Sequence, residues 1–315
     1  MASAARASLR FRGPIARLSQ VVLGGGLLGY GYYGIYAPWA DPRKVPNELD
    51  PDYFRPFTLI DRRELTSNTA LLRFRFRPTP AIPCIPTVGA VDVKDPNIQV
   101  KRPFTPIHTQ WVHADLQLPS PNEPSRPASG PTDFELLVKR YPHASVSQVL
   151  HHTSVGDTAE IRGPIMHWPY QPNRWGHIAM IAGGTGITPM FQLLETILTN
   201  PNDRTRISLI FSNRTERDIP LQAELEKIQA RYPERFQLTL TIDRRPSDPY
   251  VGLLSRDFLV SRLPPAKQDD AIVLVSGPPG MMKNVCGERT TDWEQGPVTG
   301  ILRELGYTGV NVHKF

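Results

Sequence analysis

The strongest regularity along the chain is an alternation of apolar runs with amphipathic stretches that begins near residue 175 and continues to the end. HIAMIA precedes PMFQLLETIL, ISLIFS precedes IPLQAELEKIQARY, FQLTLTI precedes LSRDFLVSRL, and AIVLVS precedes PPGMMKNV. Short continuous apolar runs are what strands buried on both faces require, and the stretches that follow them repeat apolar positions at helical spacing. Four such units predict an α/β, doubly wound parallel sheet over residues 175–315, with ligands at the carboxyl ends of its strands. The preceding part of the chain has a period of two instead. Residues 58–65, 71–76 (LLRFRF), 134–141 and 158–162 predict strands punctuated by Pro and Gly, the pattern of a small antiparallel β-barrel within 53–170.

Three segments fit neither period. Residues 115–132 (DLQLPSPNEPSRPASGPT) predict a disordered insertion in a hairpin connection, and residues 41–52 a polar linker. The run 18–39 (LSQVVLGGGLLGYGYYGIYAPW) holds no charged side chain and approaches the roughly 20 apolar residues that cross a bilayer. Its Tyr30, Tyr32, Tyr33, Tyr36 and Trp39 suit a membrane–water interface, and Gly25 and Gly29 let a second helix approach. The expectation is a membrane anchor at 18–40 behind an acid-free, Arg- and Ser-containing mitochondrial targeting leader at 1–17. A secretory signal has the same order of basic and apolar residues, but no small-residue cleavage site follows the aromatic end; the glycines weaken helix propensity, which leaves a monotopic or merely imported segment as the alternative.

Composition changes this picture in two respects. With 40% hydrophobic residues in a chain of 315, a sizeable core is available, and the 33 prolines cluster in loops. The net charge of +6 raises the question of nucleic acid, yet Arg6, Arg10, Arg12 and Arg17 lie in an acid-free stretch of 40 residues, which leaves +2 for the other 275. A nearly neutral body excludes a nucleic-acid-binding face as its main feature. Cys84 and Cys286 are far apart and lack metal-ligand spacing. His108, His151 and His152 have neither the i, i+4 spacing nor the carboxylate companions of a zinc site, and read as solvated or partner-facing.

The sharpest chemical signal is IAMIAGGTGITPM at 178–190, an apolar strand entering glycines and then a helix. Gly183, Gly184 and Gly186 allow backbone N–H groups to approach a pyrophosphate, Thr185 lies between them, Thr188 is a candidate helix cap and Pro189 suits the first turn. The spacing is Gly184-x-Gly186-x-x-Pro189 rather than G-x-G-x-x-G, and a glycine turn without a dinucleotide is the alternative.

This motif, preceded by Arg102-Pro103-Phe104-Thr105 and followed by Ser276-Gly277-Pro278-Pro279-Gly280-Met281, resembles the NADH-cytochrome b5 reductase branch of the ferredoxin-NADP reductase superfamily. LLVKRYP, SQVL, GDTAEIRGP, TERDI, TGILRELGY and an aromatic C-terminus complete the ordered match over 57–315. The resemblance implies an FAD-binding barrel and an NADH-binding sheet. It places Arg102 on the flavin nucleotide phosphate, Pro103 and Phe104 against the flavin, and Thr105 near the flavin atom that receives hydride. Lys139 and Tyr141 lie on a strand beside the flavin, and Ser147 meets the pyrophosphate at a helix start. In the nicotinamide half, Asp218 matches an acid on the adenosine ribose, Ser276 stands near the nicotinamide ring, and Gly277, Pro278 and Met281 count among the cofactor-binding residues. Read without the resemblance, Lys139 is a surface lysine, Ser147 a helix cap and Asp218 an acid at a helix start.

The chain departs from the family at four of these positions. Phe104 replaces a tyrosine, Ala144 and Ser145 replace a Gly and a Lys, and Ser276 replaces a cysteine. The function implied is a membrane-anchored mitochondrial flavoprotein that takes hydride from NADH onto FAD and passes electrons singly to a haem protein such as cytochrome b5. Two alternatives remain open: a flavoprotein of the cytochrome c haem-attachment or import pathway, and an assembly factor that keeps FAD as a structural ligand.

Overall fold

The computed structural model describes residues 46–80, 85–107, 132–242 and 254–315. The expected leader 1–17 and anchor 18–40 lie outside these residues, as do Cys84, His108 and the insertion up to residue 131. Among the described residues, no helix is long and apolar enough to cross a membrane.

The first sheet is antiparallel throughout and contains β1 (Arg55–Thr66), β2 (Thr69–Arg75), β3 (Gly89–Lys94), β4 (Lys101–Phe104), β5 (Asp133–Lys139) and β6 (Thr158–Met166). Their order is β4-β3-β6-β1-β2-β5. A bridge between Ile107 and Glu135 brings the chain leaving β4 onto the opposite edge strand β5, which rolls the sheet toward closure. Phe134 fills the interior, its ring centroid 5.6 Å from Phe57 and 5.9 Å from Phe74. The alternation in LLRFRF is real: Leu72 and Phe74 point into this core, whereas Leu71 points out of it.

The second sheet is parallel and comprises β7 (His177–Gly183), β8 (Arg206–Asn213), β9 (Phe236–Ile242), β10 (Ala271–Ser276) and β11 (Val312–Lys314), in the order β11-β10-β7-β8-β9. Chain order runs from β7 outward through β8 and β9 and then returns to β10, so the switch point lies between β7 and β10. Both faces are covered, as a doubly wound sheet requires. Ile178, Met180 and Ala182 pack on the side of α2 (Ile187–Thr199) and α3 (Gln222–Arg231). Ala179, Ile181, Val273 and Val275 pack on the side of α4 (Arg256–Val260), α5 (Pro279–Val285) and α6 (Gly300–Glu304). The remaining described helix, α1 (Ser145–His152), belongs to the first sheet, where Val146 and Leu150 enter its core.

The two sheets share an apolar cluster. Leu71, Val88, Ile107 and Leu137 from the barrel meet Ile187, Met190, Phe191 and Leu194 from α2. This is why α2 is buried on nearly every face and why its apolar run is longer than one stripe needs.

Several expectations change. Tyr141 is not on a strand, because β5 stops at Lys139 and Arg140 turns its N–H to the Asn68 carbonyl. The described half of the linker is part of the barrel: Leu49 is in its core, and the Asn47 side chain accepts the Thr58 N–H at 2.8 Å. Thr132, at the end of the expected insertion, is tied in as well, its carbonyl accepting the Phe76 N–H at 2.8 Å. His151 is not simply solvated, since its Nε2 lies 3.0 Å from the Val138 carbonyl and burial holds its imidazole below the usual range.

Candidate active site

The carboxyl ends of β7 and β10 are adjacent, with Ala182 paired to Ser276, and Gly183 pairs with Ser212 of β8. After Gly183 a single 3-10 turn, Gly184–Gly186, leads into α2. Gly184 has φ of 53°, the left-handed region that costs a glycine little. Gly186 is required for another reason: a Cβ there would lie 2.2 Å from the Ser276 carbonyl oxygen. The Met281 side chain lies against Gly183 and Gly277, so these glycines, Ser276 and Met281 form one packed cluster.

The turn also corrects the capping expectation. Gly186 is the N-cap of α2 and carries no side-chain cap, while Thr188 is inside the first turn, its Oγ1 donating to the Thr185 carbonyl at 3.1 Å. Pro189 falls in that first turn as expected, and no acid lies there. An uncapped helix start leaves backbone N–H groups and the positive end of the helix dipole for an anion. Asp218 ends a 3-10 turn, Glu216–Asp218, shortly beyond β8; it is half-buried and its Oδ2 accepts the Thr215 hydroxyl at 2.9 Å. The chain thus brings Asp218 to the same end of the sheet as the glycine turn.

On the barrel, β4 pairs with β3 so that Arg102, Pro103 and Phe104 stand opposite Val93, Asp92 and Val91. Arg102 is exposed, with Nη1 donating to the Lys101 carbonyl at 2.8 Å, and Phe104 packs on the barrel core. Asp92 is buried and receives Lys101 Nζ and Arg162 Nη2, each at 2.7 Å. Two cations on one buried carboxylate fix the strand that carries Arg102. Thr105 is half-buried at the end of this segment.

Lys139 is half-buried, Tyr141 is exposed, and Ser147 is buried inside α1 rather than at its cap, which is Ala144. The Ser147 hydroxyl donates to the Ala144 carbonyl at 2.9 Å and accepts the Tyr141 N–H at 3.3 Å. Gln148 Nε2 donates to the Tyr141 carbonyl at 2.9 Å. Side chains therefore shape the 141–148 turn, while the start of α1 has neither a side-chain cap nor an acid in its first turn. That donor set fits a phosphate. An open cleft of about 670 Å³ on the flank of α1, between Asp95, His152 and Asp157, includes Ser145 but none of the expected nucleotide-contacting residues.

The structure also assembles residues to which the sequence assigned no role. Phe315 donates its N–H to the Val275 carbonyl at 3.0 Å, which puts the C-terminal ring one residue from Ser276. Its ring meets His313 edge-on at 4.8 Å, and Trp168 lies 5.8 Å from His313. Burial, then the Arg289 charge, then His167 hold the His313 imidazole down to about 4. Lys314 is buried and donates to the Glu288 and Pro297 carbonyls at 3.1 and 2.8 Å, clamping the loop before α6. Apart from His313 against Phe315, these contacts join residues far apart in the chain, so no local sequence pattern marks them.

An antiparallel barrel with an uncapped helix start, sharing a core with a parallel sheet that ends in a glycine turn, defines a flavin- and nicotinamide-dependent oxidoreductase. Comparison with known proteins agrees. An oxidoreductase FAD-binding domain model matches residues 122–170, and an oxidoreductase NAD-binding domain model matches residues 180–287. NADH-cytochrome b5 reductase 2 of Ajellomyces capsulatus is 33% identical over 315 residues, covering 95% of this chain and 92% of that protein. A NADH-cytochrome b5 reductase-like protein of Arabidopsis thaliana is 38% identical over 305 residues, covering 91% and 87%. The cytochrome b5 reductase domain of Ulva prolifera nitrate reductase has a TM-score of 0.64 at 29% identity, covering 86% of this chain and 100% of that one.

The chain belongs to the NADH-cytochrome b5 reductase family. It is an oxidoreductase whose cofactors are FAD and NADH.

Proposed function

We propose that this oxidoreductase delivers its electrons singly to a haem protein of the cytochrome b5 kind. The acceptor is the one that the names of its relatives carry. The observation that supports the hydride half is convergence: α2 begins at the glycine turn and packs on the barrel beside Pro106, the residue after Thr105.

When bound, the flavin supplies the conversion of a two-electron hydride into single electrons. The protein supplies position. Arg102 and the first-turn N–H groups of α1 hold the flavin's phosphates, with Ser147, Lys139 and Tyr141 around them. Pro103 and Phe104 flank the ring system, and Thr105 orients the ring where hydride arrives. Gly183, Gly184, Thr185, Gly186 and Thr188 receive the NADH pyrophosphate at the start of α2. Ser276, Gly277, Pro278 and Met281 bound the nicotinamide, and Asp218 accepts from the adenosine ribose. Residues 18–40 act as a membrane anchor behind a mitochondrial leader, a reading that rests on composition.

The test is anaerobic titration of the full-length protein with NADH, followed by oxidised cytochrome b5. Stoichiometric bleaching of the flavin and subsequent haem reduction are expected. A bound flavin that NADH does not bleach overturns the enzymatic reading in favour of a structural cofactor. A bleached flavin that leaves the haem oxidised overturns the acceptor alone. Carbonate extraction tests the anchor: release into the supernatant removes it.

A further inference from the structure

Gln192 is an amide in a mostly apolar junction. It lies on α2 and is buried, among the residues that join the two sheets. Its Nε2 donates to the Pro106 carbonyl at 2.6 Å and reaches the Gly89 carbonyl at 3.4 Å. These two acceptors fix which end of the amide is the donor. Its Oε1 is then buried without a hydrogen-bond partner. A leucine or methionine at this place matches the surroundings and removes the orphan Oε1, but it leaves the buried Pro106 carbonyl without the donor it has here, so the amide serves this one bond rather than apolar cohesion. Cohesion is already supplied by the surrounding apolar side chains and by a second tie one turn on, where the Thr196 and Thr87 hydroxyls lie 3.0 Å apart.

What the amide does that an apolar side chain cannot is fix a position. Pro106 directly follows Phe104 and Thr105, and Gly89 opens β3, on which β4 is built. The same helix starts at Gly186, in the turn packed on Ser276. A single side chain thus ties the barrel segment expected at the flavin to the helix expected at the nicotinamide nucleotide. Hydride transfer depends steeply on the separation of the reacting atoms, so a hydrogen bond that sets the register of these two elements acts on rate rather than on binding.

We infer that Gln192 is a positioning residue that sets the flavin-contacting segment 102–106 against the nucleotide-binding helix through its bond to Pro106. This rests on the reading of the two nucleotide sites given above. The variant Q192M keeps the length and apolar body of the side chain and removes the donor. In anaerobic single-turnover mixing of the full-length protein with NADH, the flavin reduction rate should fall by about ten- to a hundredfold, the scale of a misplacement near 1 Å. FAD stoichiometry and the Kd for NADH should stay within about twofold of the parent. The long-wavelength absorbance given by a nicotinamide stacked on flavin should weaken, and amide hydrogen exchange of Phe104, Thr105 and Ile107 should quicken in the cofactor-free protein. T196V, which removes the neighbouring tie without touching Pro106, should change neither rate nor absorbance.

A Q192M protein with parental rate and absorbance overturns the inference, as does one that loses its flavin or fails to fold, since Gln192 is then merely structural. Equal slowing by T196V also overturns it, because general loosening of the junction then suffices. Failure of the parent protein itself to be reduced by NADH refutes the underlying site reading, and is distinguished by occurring before any substitution.

Discussion

The carbonyl oxygen of Ser276 occupies the place that a side chain on Gly186 would need, with only 2.2 Å to an ideal Cβ. Two strand ends that are adjacent in the sheet, β7 and β10, are thereby pressed together at backbone level. Gly186→Ala must push the turn off β10, and overpacking of this kind typically costs about 1–3 kcal/mol. Gly184→Ala meets no atom within 4 Å but must hold φ near 53°, which costs about 1 kcal/mol. Thermal unfolding should rank G186A below G184A, and NADH titration should show the larger loss of affinity for G186A. The reverse order would mean that the turn relaxes freely and that φ, not contact, dictates glycine here.

A second prediction concerns Asp92, whose carboxylate holds both Lys101 and Arg162 beneath the strand that presents Arg102. Asp92→Asn leaves two cations facing a neutral amide. Breaking a buried pair costs about 3–5 kcal/mol, and about 2–3 is expected here because Lys101 is half in water. Lys101→Met should cost much less than Asp92→Asn, since Arg162 still neutralises the acid. Urea unfolding measures both, and flavin retention should fall with D92N. Equal stabilities for the two variants would show that the pairing to Arg162 carries no weight.

The parallel sheet was legible because strands buried on both faces write continuous apolar runs, and IAMIAGGTGITPM announces its own turn. By contrast, β4 reads as Lys101-Arg102-Pro103-Phe104, which looks like a turn; only its pairing with β3 and the ion pairs on Asp92 make it a strand. β11 is three residues long and exists through its contact with β10. Thr188 is not the cap because the 3-10 turn puts the N-cap of α2 at Gly186, a two-residue shift that residue preferences do not register. Gln192 illustrates the deeper limit. A glutamine in a helical run is ordinarily a solvent-facing position, and nothing local reveals that a second sheet covers it.

In the proposed function, cofactor choice turns on Asp218, held by Thr215 at the sheet end that carries the glycine turn. A carboxylate accepts from a ribose hydroxyl, whereas a phosphate at that hydroxyl brings like charges together, at a cost of several kcal/mol at an interface. NADH should therefore reduce the flavin at least about tenfold more efficiently than NADPH, which needs only about 1.4 kcal/mol of discrimination. Asp218→Ser should narrow the gap mainly by improving kcat/KM for NADPH. An unchanged ratio in that variant would remove Asp218 from nucleotide recognition.

The His313 imidazole supplies a pH dependence whose sign follows from its environment. Burial, the Arg289 charge and His167 hold its pKa down to about 4, while in the unfolded chain it lies near 6.5. Between these values the unfolded chain carries the extra proton, so folding is penalised progressively as pH falls from about 6.5 to about 4 and is unaffected above that window. Two and a half pKa units correspond to about 3 kcal/mol, an upper figure because local opening at the C-terminus relieves part of the penalty. His313→Phe keeps an aromatic ring between Trp168 and Phe315 and removes the titration. Unfolding midpoints measured from pH 8 to pH 4 should fall for the parent and fall less for H313F, with the two curves converging in slope above pH 7. Parallel curves across the whole range would show that the acid sensitivity comes from other groups, with His167, itself lowered by burial and by Arg289, the next to replace.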